Sequence, residues 1–209
     1  FILGGGQGLL GWWMVKSGLI DHPDVSHYRL TAHLGLAVLI YLYIFWVASG
    51  LVMLRCDRTH KRPVATVTLL TGLIFVQILL GGLVAGLNAG MIYNTWPLME
   101  GEFIPTGLYT ATPWYMNAFE NIMTVQFNHR MLAYLIAVMG LYVWNEMRKD
   151  NHINVRLAGH LLLFMILAQG TLGILTLIHA VPISLAAAHQ AGAVLTLSAA
   201  LFALRRIKV

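Results

Sequence analysis

Apolar residues in this chain come in long blocks, not in the stripes of a soluble amphipathic helix. Five blocks, at 30–54, 64–87, 121–145, 157–180 and 181–204, are long enough to cross the hydrocarbon core of a bilayer, which takes about 20 residues in a helix. A sixth, at 1–15, is shorter and begins at once with apolar residues and no initiator Met. It is expected to be the end of a helix that starts upstream. A signal peptide fits less well, because no basic segment precedes the block and no cleavage site follows it.

The polar segments between the blocks divide by charge. Arg55, Arg58, Lys61, Arg62, Arg148, Lys149, Arg156, Arg205, Arg206 and Lys208 all fall in segments that alternating spans bring to one side of the membrane. The other side keeps Lys16, Arg29 and Arg130, together with Asp21, Asp24, Glu100, Glu102 and Glu120. Basic loops mark the cytoplasmic or matrix side, so the net charge of +5 is a topology signal. It is not a nucleic-acid footprint, for no basic patch carries interleaved aromatics. Composition agrees: 10% of residues are charged and 58% hydrophobic, against about 25% charged in a soluble domain. The fold class expected is all-α integral membrane protein. The one cysteine, Cys56, can form neither an internal disulfide nor a thiolate metal site.

The blocks repeat. Gln7-Gly-Leu-Leu-Gly11 resembles Gln169-Gly-Thr-Leu-Gly173, and Ala32-His33 with Ala37-Val-Leu39 aligns with Ala188-His189 and Ala193-Val-Leu195. The last two helices therefore read as a copy of the first two. Such repeats are common in membrane proteins, although small residues recurring by chance in apolar helices would give a weaker version of the same pattern. The architecture expected is two tandem four-helix halves. Residues 1–63 hold the last two helices of the first half and the loop after them, and residues 64–209 hold the complete second half.

Nine histidines occur. His22, His27, His60 and His152 read as solvated loop residues. His33, His129, His160, His179 and His189 lie in or at apolar blocks, where ionisable groups are costly and are functional candidates by default. His33, His129 and His189 enter from the acidic side and sit at similar depth, while His160 belongs to the other leaflet and His179 to a helix end. Both of the latter read as structural. Two imidazoles at equal depth in one four-helix half suit a bis-histidine haem site; the competing reading makes them interhelical hydrogen-bond donors. Arg130 is a candidate to approach a haem propionate. Residues 91–120 form a long loop without Lys or Arg, in which Trp96, Phe103, Trp114 and Tyr115 form either a cover over the site or an ordinary interfacial belt.

Several stretches resemble the haem A synthases: QGLLGWWMVKSGL at 7–19, YRLTAHLGLA at 28–37, GGLVAGLNAGMIYNTWPLMEGEFIP at 81–105, ENIMTVQFNHRMLAY at 120–134 and AAAHQAGAVLTL at 186–197. They are similar in particular to the mitochondrial and alphaproteobacterial subgroup and span nearly the whole chain. The resemblance implies an eight-helix protein, with this chain running from the end of helix 3 through helix 8. It implies oxidation of the C8 methyl group of haem O to a formyl group, by successive hydroxylations and loss of water, to give haem A for terminal oxidases. It also implies a haem b cofactor between His129 and His189, and haem O as substrate at His33. The partner histidine of His33 would lie on helix 2, with a functional Glu three residues before it. In the visible half that offset is occupied by Gln126, which suits an electron-relay site, since a reacting site gains from a carboxylate that moves protons. A cysteine pair found in some relatives is absent. The expected surroundings are the lipid bilayer of a bacterial plasma membrane or mitochondrial inner membrane. Haem O synthase and a ferredoxin-like or other electron donor are candidate partners, and a homo-oligomer stays open.

Two other classes compete. A non-catalytic b-type cytochrome would share the bis-histidine site, and only the acid of helix 2 separates it from the enzyme. A repeat-built transporter with histidines in a proton path would bind no haem.

Overall fold

The computed structural model describes residues 1–18, 24–52 and 63–208. His22, His60, Cys56 and the basic cluster at 55–62 lie outside the described residues. Six α-helices follow one another: α1 (Ile2–Val15), α2 (His27–Val52), α3 (Val64–Gly86), α4 (Ile122–Met147), α5 (Ile153–Ile178) and α6 (Ile183–Lys208). Two short 3-10 turns, Ala89–Met91 and Trp114–Ala118, punctuate the long connection between α3 and α4. Among the described residues the only strand-like pairing is a single bridge between Met99 and Glu102. The protein is an all-α integral membrane protein.

Helices α2, α3, α5 and α6 are each long and apolar enough to cross a membrane. Helix α4 was expected to do so too. At 26 residues it has the length, but Gln126, Asn128, His129 and Arg130 in its first third remove the apolarity. Neighbouring helices compensate, since α4 packs along both α3 and α5. The blocks expected at 157–180 and 181–204 are displaced. Helix α5 starts four residues earlier, with His152 at its N-cap, and α6 runs on to Lys208. A hydrophobic block marks the membrane-embedded part of a helix, whereas the backbone hydrogen-bond ladder continues into the polar interface.

Helices α3, α4, α5 and α6 close a four-helix ring in which α4 and α6 are diagonal, each packing on both α3 and α5. Helix α2 lies outside the ring against α3 and α6, and α1 packs on α2. Gly82 and Gly86 let α2 approach α3 closely: a Cβ at Gly82 would stand 3.0 Å from Thr31 Oγ1, and one at Gly86 would stand 2.7 Å from the Cα of His27. Close backbone approach at small residues four apart is how membrane helices gain packing energy where lipid offers no hydrophobic drive. Towards the other end, Tyr41 hydrogen-bonds Ser198 at 2.6 Å, and Arg205 donates to the Trp46 carbonyl at 2.9 Å with its guanidinium 4.0 Å from that ring.

The packed core is lopsided. Besides Val38 of α2, its buried members are Val67 to Ile78 of α3, Ile136 to Met147 of α4, Val155 to Ile166 of α5 and Leu197 to Ile207 of α6. Most belong to the end of the ring that carries Arg148, Lys149, Arg156, Arg205, Arg206 and Lys208. Towards the opposite end, which carries Glu100, Glu102 and Glu120, α4 stays buried at Thr124, Val125 and Gln126, but α6 does not. No residue of α6 before Thr196 is buried. Large apolar side chains such as Phe164 and Val138 face outward, each 65% exposed, as suits a lipid-facing surface.

Candidate functional site

His33, His129 and His189 occupy equivalent places. Each is the seventh or eighth residue of its helix, counted from His27, Ile122 and Ile183, which sets it about 9–11 Å along at 1.5 Å per residue. All three helices start at the acidic end. Asn121 begins α4 there, its side chain accepting from the Thr124 backbone N–H at 3.1 Å, which satisfies one of the otherwise unpaired donors of the first turn.

His129 and His189 belong to the diagonal helices α4 and α6, and they lie within electrostatic reach of each other. Both are half-buried. Two imidazoles on diagonal helices of one bundle are the kind of pair that could hold a metal macrocycle. Among the described residues no cluster of three or more His, Cys, Asp or Glu side chains could hold a metal ion, so any metal chemistry here rests on paired histidines.

Each of the three histidines is gripped by a glutamine on the preceding helix. Gln7 Nε2 donates to the His33 carbonyl at 3.1 Å and lies 3.4 Å from the ring Nε2. Gln77 Nε2 donates to the His129 carbonyl at 3.0 Å and lies 3.2 Å from both ring nitrogens. Gln169 Nε2 donates to the His189 carbonyl at 2.8 Å and lies 3.0 Å from Nδ1. Four residues beyond each glutamine stands a glycine whose Cβ would press on the ring Cε1: 3.0 Å at Gly11, 3.4 Å at Gly81 and 2.8 Å at Gly173. The sequence repeat thus has a third copy, Gln77-Ile-Leu-Leu-Gly81 with His129, between the two read from the sequence. The five-residue Gln-to-Gly spacing was the signal available. It is obscured because 52 residues separate Gln77 from His129, against 26 and 20 in the other copies.

Arg130 and Gln126 are placed differently from expectation. They share the other face of α4, one turn apart, and both reach the long loop. Arg130 donates to the carbonyls of Thr95 at 2.9 Å and Tyr93 at 2.8 Å, and Gln126 donates to the same Tyr93 carbonyl at 3.1 Å. Both terminal nitrogens of Arg130 bond loop backbone, so the guanidinium anchors the loop, while its buried Nε has no hydrogen-bond partner. Gln126, 2% exposed, belongs to the same anchor. Asn94 ties the loop to the Leu177 carbonyl at 3.0 Å. The buried Asn117 pairs with Ala111 through both backbone groups, at 2.8 and 3.0 Å. The aromatics read as either cover or belt are all exposed: Trp96, Phe103, Trp114 and Tyr115. That is the placement of an interfacial belt.

The remaining histidines separate cleanly. His160 accepts from Trp144 Nε1 at 2.9 Å, and His179 bonds its own helix at the Leu175 carbonyl, 2.8 Å away. His27 is not a loop residue. It opens α2, stacks near Tyr28 at 4.1 Å and lies 3.7 Å from Glu120, which also accepts from Tyr28 Oη at 2.5 Å. His152 is the N-cap of α5.

Residues 1–201 match the family described as cytochrome oxidase assembly protein. Among curated proteins, the chain is 51% identical to one named haem A synthase from Nitrosomonas eutropha, over 99% of this chain and 60% of that protein. It is 50% identical to one of the same name from Nitrosospira multiformis, over 97% of this chain and 58% of that protein, and 47% identical to one from Parvibaculum lavamentivorans, over 99% and 59%. The chain thus spans about three fifths of the length of these relatives. No solved structure matches it. The chain belongs to the cytochrome oxidase assembly protein family, and its similarity to proteins named haem A synthase extends over nearly all of its length.

Proposed function

We propose that this chain is the greater part of an enzyme that oxidises the C8 methyl group of haem O to a formyl group, yielding haem A. On this reading His129 and His189 would hold the iron of a haem b in the α3–α6 ring. His33 is one ligand for substrate haem O in the half to which α1 and α2 belong. The observation that carries the reading is the placement of His129 and His189. They stand at equal depth on diagonal helices, in the half of the ring where no α6 residue before Thr196 is buried.

A haem held at both faces by imidazole supplies one-electron transfer. The rest of the work falls to the chain. Gln77 and Gln169 hold the two histidines on their own helices. Gly81 and Gly173 leave room for the Cε1 edges of the rings against α3 and α5. Arg130 and Gln126 hold the loop at the acidic end, which limits water above the site. Among the described residues no carboxylate is hydrogen-bonded to His129, in keeping with electron relay by this half and oxidation in the other. The ring end bearing Arg148, Lys149, Arg156, Arg205, Arg206 and Lys208 faces the cytoplasm or matrix by the positive-inside rule.

The test is to supply haem O and a reductant to the protein in membranes and to separate the products. Hydroxylated haem and haem A are expected. Haem O returned unchanged, with a normal b-type spectrum, would leave only the electron-transfer cytochrome.

A further inference from the structure

We propose that Gln7, Gln77 and Gln169 are positioning residues for the iron-ligating histidines, one glutamine per ring, and that each carboxamide oxygen is the acceptor for the ring N–H of its histidine when the opposite nitrogen is bound to iron. The proposal rests on the haem reading of the site and extends it to residues one layer out.

Three observations converge. The first is recurrence. The same atom of the same residue type bonds the backbone carbonyl of the histidine and approaches its ring in all three hairpins, at 2.8–3.1 Å and 3.0–3.4 Å respectively. Packing alone does not call for a primary amide three times in apolar helices, where a polar side chain is expensive.

The second is an orphan. Oε1 of Gln7, Gln77 and Gln169 is buried and has no hydrogen-bond partner. A buried carbonyl left unpaired is destabilising, and here it occurs three times. An imidazole bound to metal through one nitrogen carries its hydrogen on the other, and that N–H almost always donates to a carbonyl, carboxylate or water. A small turn of the carboxamide keeps Nε2 on the histidine carbonyl and brings Oε1 to the ring N–H. The amide then satisfies both of its polar ends against one residue. Near His189 the approach to Nδ1 at 3.0 Å leaves Nε2 as the metal-facing nitrogen.

The third is the glycine that follows. Gly11, Gly81 and Gly173 place backbone, not side chain, against Cε1, the carbon between the two nitrogens. The ring is thereby confined on one side while its nitrogens stay accessible to the glutamine and to the metal. The glycine confines the Cε1 edge of each ring, and the glutamine stands 3.0–3.4 Å from a ring nitrogen.

The experiment uses the purified haem-loaded protein and reads haem retention, midpoint potential and the low-spin electron paramagnetic resonance signal, with circular dichroism as a check on fold. Gln77→Leu and Gln169→Leu are expected to lower haem affinity about 10–100-fold and to raise the midpoint potential of what remains, because the ligand loses its acceptor and becomes less basic. Gln169→Glu, nearly the same shape, is expected to retain haem and to lower the potential, because a carboxylate accepts more strongly. If the leucine variants fail to fold, the glutamate variant still decides: an unmoved potential and unmoved resonance signal would overturn the proposal. Leucine variants that keep haem with the original potential would do the same. A wild-type protein that shows no bis-imidazole signal at all, with activity intact, would instead remove the haem reading and the glutamine role with it.

Discussion

Arg130 donates to the backbone carbonyl of Tyr93 at 2.8 Å, across 37 residues of sequence. The bond joins the most polar turn of a bundle helix to the start of the long loop at the acidic end. A charge at 8% exposure is tolerated because two loop carbonyls, those of Tyr93 and Thr95, receive it. Charged-group hydrogen bonds contribute about 1.5–3 kcal/mol each.

Removing that donor should loosen the loop before it disturbs the histidines. Arg130→Ala is expected to speed hydrogen exchange and proteolysis within residues 91–120, while a b-type difference spectrum persists. Arg130→Lys is expected to restore part of the protection, because an ammonium keeps the charge but not the planar fork. Protection unchanged in Arg130→Ala would show that Asn94 and Asn117 suffice to hold the loop.

The histidines should divide by role. His129→Ala or His189→Ala is expected to abolish the reduced-minus-oxidised b-type bands. His160→Ala is expected to keep them, since its ring nitrogen serves only the Trp144 indole, a bond of about 1 kcal/mol. Loss of the bands in His160→Ala would move the site to the other leaflet.

Of the three ring-facing glycines, Gly81 and Gly173 differ most in clearance, and their variants should differ in the same order. A Cβ at Gly173 would come within 2.8 Å of His189 Cε1, whereas one at Gly81 would stand 3.4 Å from His129 Cε1. Gly173→Ala is therefore expected to displace its ring and weaken haem retention, and Gly81→Ala to leave retention near normal. Titration of the stripped protein with haem measures both.

Helix packing offers a control pair on α3. Gly86→Ala drives a methyl into the backbone of His27 and is expected to destabilise by about 1–3 kcal/mol. At Gly72 nothing lies within 4 Å of the added Cβ, so Gly72→Ala is expected to be neutral or to stabilise by up to about 1 kcal/mol through helix propensity. Thermal unfolding in one detergent compares them. Equal effects would mean that α2 does not depend on close approach to α3.

Much of this molecule was legible in the chain alone. Block length and charge are local properties, so the helices, the two charged ends and the three histidines at matching depth could be read directly. The outer copies of the repeat could be read because their glutamines lie 26 and 20 residues from their histidines. Tertiary structure decided the rest. It made α4 and α6 diagonal, which puts His129 opposite His189. It revealed the middle copy, whose two parts lie 52 residues apart. It also showed that Arg130 and Gln126 bond the loop carbonyls of Tyr93 and Thr95. The physical reason is the same in each case: what a polar side chain bonds inside a bundle depends on which backbone the fold delivers to it, and neither residue type nor position in the helix specifies that partner.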